Sequence, residues 1–110
     1  MVDLGTFSVS LAVKDIKVSR TFYEHLGFEV IHGNEDEKWL ILKNGEAKIG
    51  LFEGMFTENI LTFNPKDARG IQKKLKAAGI PLTSEADDGE GPASLTLTDP
   101  DGNQILFDQF

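Results

Sequence analysis

The feature that most constrains this fold is an internal repeat. An apolar residue, a glycine and a second apolar residue occur as Leu26-Gly27-Phe28 and, 52 residues later, as Ala78-Gly79-Ile80. Each glycine ends a helical pattern and precedes a strand pattern, as a glycine that terminates a helix does. Residue identity between the halves is weak, but the order and spacing of the predicted elements agree. The chain is therefore predicted to contain two copies of one small unit.

The first half predicts the order strand, helix, strand, strand, strand. Residues 6–13 alternate between apolar and small or polar side chains, which is the period of a strand with one buried face. Asp15 is a candidate N-cap for the next helix, and residues 28–32, 38–43 and 46–53 predict three further strands. The helix stripe that should pack on the sheet comprises Val18, Phe22, His25 and Leu26, with Tyr23 beside it.

The second half predicts the same order. A strand over 59–63 precedes a helix over 65–78, and strands follow over 80–85, 93–98 and 103–108. A βαβββ unit of this size cannot bury its own sheet face, so two of them should pair their sheets and share a core. We therefore expect one α+β domain over residues 1–110, with modules of about 1–54 and 55–110 whose paired sheets form a concave cup.

Composition excludes several classes of function. The formal net charge is −7, whereas nucleic-acid-binding proteins normally present a basic face. No apolar run approaches the roughly 18 residues of a membrane-spanning helix, and the first residues lack the basic and apolar regions of a signal peptide. With no cysteine in the chain, disulfides and thiolate metal sites are excluded. We expect a cytoplasmic protein with no nucleic-acid or membrane partner.

Two motifs resemble those of a known superfamily. The run FYEHLGF at residues 22–28 and the turn DPDGN at residues 99–103 resemble the vicinal oxygen chelate proteins, which include glyoxalase I, bleomycin-resistance proteins and extradiol dioxygenases. The resemblance covers essentially the whole chain. It implies the paired βαβββ fold and a homodimer, but not an activity, because function depends on sites rather than on folds.

The resemblance also implies where a metal would bind. Metal-dependent members carry one His, Gln or Glu on the first and last strand of each module, and the bound ion polarises a substrate with two adjacent oxygens. The matching positions in this chain are Ser8, Gly50, Glu58 and Leu106. Glycine and leucine cannot ligate through their side chains, and serine is a poor ligand for a catalytic divalent ion. We therefore expect no metal and no other cofactor.

Strand periodicity predicts which side chains line the concave face. If the apolar sets pack under the helices, the opposite set combines hydroxyl, amide, acidic and aromatic groups, a mixture suited to a small organic molecule. Trp39 and Phe52 are the candidates for stacking, and Glu58 is the candidate for pairing with a cationic group. The candidate ligand-binding residues are Ser8, Ser10, Trp39, Gly50, Phe52, Glu58, Thr62, Thr96, Gln104 and Leu106.

Three functions remain open at this level. The sequence favours a homodimeric, metal-free protein that binds a small organic molecule, with a cationic ligand as the sharper alternative. A lyase, isomerase or dioxygenase of glyoxalase type with an atypical site is the opposing hypothesis. A scaffold module whose cup binds nothing is the third. No catalytic residue is assigned, because the positions that would carry the family chemistry hold Ser8, Gly50 and Leu106.

Overall fold

A computed structural model describes residues 2–110. These residues contain seven β-strands, two α-helices and one short 3-10 helix. They fall into an N-terminal unit, Ser8–Asn59, and a C-terminal unit made of the chain up to Phe7 with Ile60–Phe110. In chain order the elements are β1 (Thr6–Val13), α1 (Ile16–His25), β2 (Glu29–Asn34), a 3-10 helix (Glu35–Glu37), β3 (Trp39–Asn44), β4 (Ala47–Glu53), β5 (Ile60–Asn64), α2 (Ala68–Ala77), β6 (Ala93–Thr98) and β7 (Gln104–Gln109).

The N-terminal unit has the predicted βαβββ order. Strands β2, β3 and β4 form an antiparallel meander, and β1 pairs with β4 in parallel, which gives the order β2-β3-β4-β1. A parallel pair needs a long crossover, and α1 with the two intervening strands supplies it. The core of this unit is built on four side chains that are at most 2% exposed, namely Ile16, Leu40, Leu42 and Leu51.

The rotation of α1 about its axis differs from the prediction. Asp15 caps the helix as expected, accepting hydrogen bonds from the N–H groups of Lys17 and Val18. The predicted stripe, however, faces outward: Val18, Phe22 and Leu26 are 65%, 59% and 55% exposed. The helix is apolar on two faces, and Ile16 with Tyr23 occupies the face that packs on the core.

The C-terminal unit repeats the parallel pairing. Here β5 runs parallel to β7, and β6 lies antiparallel on the other side of β7, giving the order β5-β7-β6. Helix α2 begins after Asp67, whose side chain accepts a hydrogen bond from the N–H of Gly70. The core of this unit is formed by Ala68, Ile71, Ala93, Leu95, Leu97 and Phe107, with Phe63 and Ile105 packed against it.

The strand predicted over 80–85 is wrong. In this segment only Ser84 forms a β-bridge, to Thr96. Pro81 has no N–H to donate to a ladder, and the backbone pairing with β6 is confined to the hydrogen bonds that Thr83 and Ser84 exchange with Thr96. A side chain of α2 holds the residue that follows the segment. Gln72 exchanges two hydrogen bonds with the backbone of Ala86, at 3.2 and 2.7 Å. The C-terminal unit therefore has three strands where the sequence pattern predicts four.

The assignment of strand faces is confirmed on β4, β6 and β7, whereas Phe7 of the alternating run on β1 is 47% exposed. Leu51, Leu95, Leu97 and Phe107 are buried in the cores, on the strand faces opposite Ser10, Gly50 and Thr96. Among residues 2–110, no helix is long and apolar enough to cross a membrane. Each unit therefore presents one core face and one second face, and the candidate ligand-binding residues on the strands lie on the second face.

Candidate functional site

An aromatic platform lies on the second face of the N-terminal unit. Trp39 and Phe52 are direct cross-strand partners on β3 and β4, and their rings are nearly parallel, with an interplanar angle of 10° and centroids 6.5 Å apart. The ring of Phe56, beyond the end of β4, contacts Phe52 with a centroid distance of 5.4 Å. All three side chains are half-buried. We call Trp39, Phe52 and Phe56 the aromatic platform.

Gly50 leaves room for the Phe52 ring of the platform. A Cβ at Gly50 would come within 2.5 Å of the Phe52 ring and 3.2 Å of the Ile41 side chain. In the parallel ladder, Gly50 pairs with Ser10, which is 6% exposed. The space that a longer side chain at position 50 would need is therefore filled by an aromatic ring.

One carboxylate contacts the indole of Trp39, in a short acidic segment. The indole N–H donates to the carboxylate of Glu37 at 3.3 Å, which fixes the orientation of the ring. Asp36 is exposed in the same 3-10 helix, and Glu35 pairs with Arg20 at 3.4 Å. The platform therefore has the carboxylate of Glu37 at the edge of the indole, and a carboxylate beside an aromatic face suits a cationic group above that face.

Glu53 links the end of β4 to the start of α1. Its carboxylate accepts a hydrogen bond from the N–H of Ile16 at 2.9 Å and pairs with Lys38 at 3.1 Å. The hydrogen bond from Ile16, with the help of Lys38, lowers the pKa of Glu53. This contact occupies a backbone N–H group in the first turn of α1 and fixes the strand that carries Gly50 and Phe52.

The C-terminal unit brings together a second group of candidate residues. Thr62, Leu106 and Thr96 lie side by side across β5, β7 and β6. The hydroxyl groups of Thr96 and Ser84 are hydrogen-bonded at 2.6 Å, and Thr62 is 7% exposed. Gln104 lies one pleat away, opposite Ile60 and Thr98. This row is formed by hydroxyl and apolar groups.

The strand pairing refines the four positions that the resemblance assigns to a metal. Gly50 pairs with Ser10 rather than with Ser8, and Leu106 pairs with Thr62. Glu58 is exposed and precedes the first residue of β5. The paired strand positions hold Ser10, Gly50, Thr62 and Leu106, none of which is an imidazole or a carboxylate. Within residues 2–110 no three His, Asp or Glu side chains are grouped to hold a metal. The residues present do not fit the divalent ion of the metal-dependent relatives.

Two surface depressions lie in the C-terminal unit, away from the candidate residues. One is lined by Glu85, Asp87, Pro92, Ser94 and Asp108, and the other by Asp3, Asp67, Gly70 and Lys74. In the first, burial raises the pKa of Asp108, while the hydrogen bond from Arg69 lowers the pKa of Asp87. Neither depression contains an aromatic ring on which a planar ligand could stack.

Sequence reasoning missed two residues of this surface. Phe56 lies in the segment between the modules, where the short apolar pair Met55-Phe56 interrupts a polar stretch and was available as a signal. Glu37 belongs to an acidic loop that resembles a solvated turn, and no sequence pattern indicates its bond to Trp39. Ser8, by contrast, is buried one pleat away from Ser10 on β1.

Comparison with known proteins gives a family match over almost the whole chain. Residues 6–107 match the family model described as "Glyoxalase/Bleomycin resistance protein/Dioxygenase superfamily". A search of curated proteins finds no match.

Solved structures with the same fold share little sequence with this chain. A glyoxalase/bleomycin resistance protein/dioxygenase superfamily member from Vibrio splendidus 12B01 is 20% identical, with a TM-score of 0.74 over 94% of this chain and 97% of that one. Methylmalonyl-CoA epimerase from Mycobacterium tuberculosis is 18% identical, with a TM-score of 0.70 over 99% and 92%. An extradiol ring-cleaving dioxygenase from B. fuscum is 21% identical, with a TM-score of 0.66 over 97% of this chain and 33% of that one. At these identities the likeness establishes the fold.

Proposed function

Because this chain belongs to the glyoxalase/bleomycin resistance protein/dioxygenase superfamily, we propose that it binds a small planar organic cation on the aromatic platform, without a metal and without bond chemistry. The observation that carries the proposal is the near-parallel pair of Trp39 and Phe52, which is half-buried on the second face of the N-terminal unit. The protein would act by sequestering its ligand.

The geometry of the platform supports a planar ligand. Aromatic side chains offer a large contact area with few rotatable bonds, so a ring that stacks on them is bound at low entropic cost. The orientation of Trp39 is already fixed by its hydrogen bond to Glu37, and the ring of Phe56 contacts that of Phe52. A platform that is ordered before the ligand arrives loses less free energy on binding.

The charge around the platform supports a cation. Glu37 accepts the hydrogen bond of the indole N–H, and the whole chain carries a net charge of −7. Cation–π attraction contributes about 0.5–2 kcal/mol, with the larger values at desolvated sites. A neutral ring of the same shape would lose this contribution, and an anionic ring would be repelled.

Three probes of matched shape test the proposal. N-methylquinolinium, quinoline and quinoline-4-carboxylate present the same bicyclic ring as a cation, a neutral molecule and an anion near neutral pH. Trp39 is the only tryptophan in the chain, so quenching of its fluorescence reports stacking at one place. We expect saturable quenching in the order cation, neutral molecule, anion, with affinities confirmed by calorimetry.

Two variants locate the binding. Phe52→Ala should weaken binding of N-methylquinolinium at least tenfold, because one of the two parallel rings is removed. Phe110→Ala is the matched control, since Phe110 is 85% exposed and lies in the other unit, and it should leave the affinity unchanged. Equal affinity of wild-type protein and Phe52→Ala, or no saturable binding of any probe, would contradict the proposal.

Elemental analysis tests the metal-free part of the proposal separately. Purified protein should contain no stoichiometric Zn, Ni, Mn or Fe, and none of these ions should raise its melting temperature. One equivalent of metal, or a rise of several degrees with one ion, would instead favour an enzyme with an atypical site. That result would overturn sequestration as the function even if the probes stack on Trp39.

A further inference from the structure

Two lysines face each other across the hairpin of β3 and β4. Lys43 and Lys48 are direct cross-strand partners. Both lie on the second face of the N-terminal unit, because each is an even number of residues from Trp39 or Phe52 on its own strand. Like charges directly opposite one another destabilise a strand pair, and neither lysine forms an ion pair within residues 2–110. An anion between the two ammonium groups would remove this repulsion.

The nearby carboxylates do not neutralise the pair. Glu29 on β2 is the other cross-strand partner of Lys43, and Glu46 lies in the turn before β4. Both are exposed, and neither takes part in an ion pair in the described part of the chain. On its other side Lys48 faces β1, which contains no charged residue. The half-buried Lys48 therefore has a lysine on one side and an uncharged strand on the other.

Ser8 supplies an uncharged hydrogen-bond donor beside Lys48. Val9 pairs with Ile49 in the parallel ladder, so the residues that precede them, Ser8 and Lys48, are neighbours on the second face. Ser8 is only 6% exposed, and its hydroxyl has no hydrogen-bond partner within residues 2–110. No polar side-chain atom of this part of the chain is sealed from solvent without a partner, so the hydroxyl still reaches solvent. A largely buried hydroxyl without a protein partner is available to a ligand.

We propose that Ser8, Lys43 and Lys48, which we call the basic row, bind a dianionic oxyanion such as phosphate or sulfate. Two ammonium groups match its two charges, and the serine hydroxyl donates a further hydrogen bond. Lys48 lies four residues from Phe52, about 13 Å along the strand at roughly 3.3 Å per residue. The basic row is therefore separate from the aromatic platform, and this inference is independent of ligand binding there.

Titration with inorganic phosphate, followed by NMR of the backbone amides, tests the site. At about pH 8 phosphate is close to a dianion, and chloride keeps the ionic strength constant. The amide signals of Ser8, Lys43 and Lys48 should shift saturably. Lys48→Met keeps the aliphatic chain and removes the charge, so it should weaken binding at least about tenfold, the effect of one charge-assisted hydrogen bond. Ser8→Ala removes an uncharged donor and should weaken binding by a smaller factor.

Lys73→Met is the matched control for the loss of charge. Lys73 is exposed on α2 in the C-terminal unit, and its substitution should leave the affinity for phosphate unchanged. Phenyl phosphate presents the same dianion as an ester. Tighter binding than inorganic phosphate would assign the basic row to the phosphorylated end of a larger molecule and weaker binding would assign it to the free ion, and either result supports the site. Shifts that do not saturate, or equal affinities of Lys48→Met and Lys73→Met, would overturn the proposal.

Urea unfolding separates a binding role of Lys48 from a structural one. Because the two lysines repel each other, Lys48→Met should be at least as stable as the wild type in phosphate-free buffer. Phosphate should raise the free energy of unfolding of the wild type and of Lys73→Met equally, by mass action, and that of Lys48→Met less. If Lys48→Met is less stable than the wild type without phosphate and gains as much from phosphate, Lys48 is structural and the proposal fails.

Discussion

The ring of Phe52 lies 2.5 Å from the point that a Cβ at Gly50 would occupy, two residues earlier on the same strand. Both side-chain positions belong to the second face of the N-terminal unit, because residues two apart on a strand share a face. Gly50 is also one of the four positions at which the family resemblance implies a metal ligand. In this chain the glycine and the aromatic ring are complementary, and the ring fills the space that a ligand side chain would need.

Gly50→Ala should therefore destabilise the protein. Overpacking a filled site costs about 1–3 kcal/mol, and urea unfolding measures the loss. The penalty should be smaller in a Phe52→Ala background, since the clashing ring is then absent, and the double-mutant cycle gives the coupling directly. Gly89→Ala is the control, because a Cβ there meets its nearest neighbour at an ordinary 3.4 Å. Equal penalties in both backgrounds would contradict the contact.

The environment of Trp39 should depend on the other two rings of the platform. Removing the stacked ring in Phe52→Ala exposes the indole to water, so its emission should shift to longer wavelength and acrylamide should quench it more strongly. Phe56→Ala should have a smaller effect, because Phe56 reaches Trp39 only through Phe52. Phe22→Ala is the control: Phe22 lies on α1, outside the platform, so the substitution should leave the emission spectrum unchanged. An unchanged spectrum in Phe52→Ala would show that the two rings do not stack in solution.

Strand faces were predictable because they follow from a period of two. The alternation around Leu95, Leu97 and Phe107 assigns each residue to a face without any knowledge of its neighbours, and these residues are buried as expected. The ends of α1 were predictable for a similar reason, since Asp15 and Gly27 act on backbone groups a few residues away. The start of α2 was predicted at residue 65 but lies at Ala68, because Asp67 caps the helix. The grouping of Thr62, Thr96 and Leu106 also follows from the register of adjacent strands.

The rotation of α1 and the shape of the platform were not predictable in this way. The sequence pattern cannot distinguish the two apolar faces of α1, because the exposed stripe of Val18, Phe22 and Leu26 is as regular as the buried one. The helix is held by the hydrogen bond from Ile16 to Glu53, which lies 37 residues away in sequence. The bond between Glu37 and Trp39 depends on the backbone path of a short 3-10 helix. Contacts of this kind depend on tertiary structure, and no local sequence pattern indicates them.

Gln72 should stabilise the segment before β6 through its two hydrogen bonds to the backbone of Ala86. Its side-chain amide donates to the carbonyl of Ala86 and accepts from its N–H, and Gln72 is only 9% exposed. Gln72→Met keeps the volume but leaves two backbone groups without partners, so we expect a loss of about 1–3 kcal/mol and faster hydrogen exchange at Ala86. Lys73→Met, at the neighbouring exposed position, should change neither quantity. Unchanged exchange at Ala86 in Gln72→Met would contradict this role.

The hydrogen bond from Ile16 to Glu53 should make the free energy of unfolding depend on pH in the acidic range. Because the pKa of Glu53 is lower in the folded protein than in the unfolded chain, its ionised form stabilises the fold. That contribution is complete above the unfolded-state value, about 4.3 for glutamate, and is lost as pH falls through the folded-state value. Urea unfolding should therefore show Glu53→Gln less stable than wild type at neutral pH, with the gap narrowing below about pH 4. Lys38→Met should remove only part of the stabilisation by ionised Glu53, because the backbone N–H of Ile16 remains as a donor. A gap that is constant from neutral pH to pH 3 would contradict the linkage.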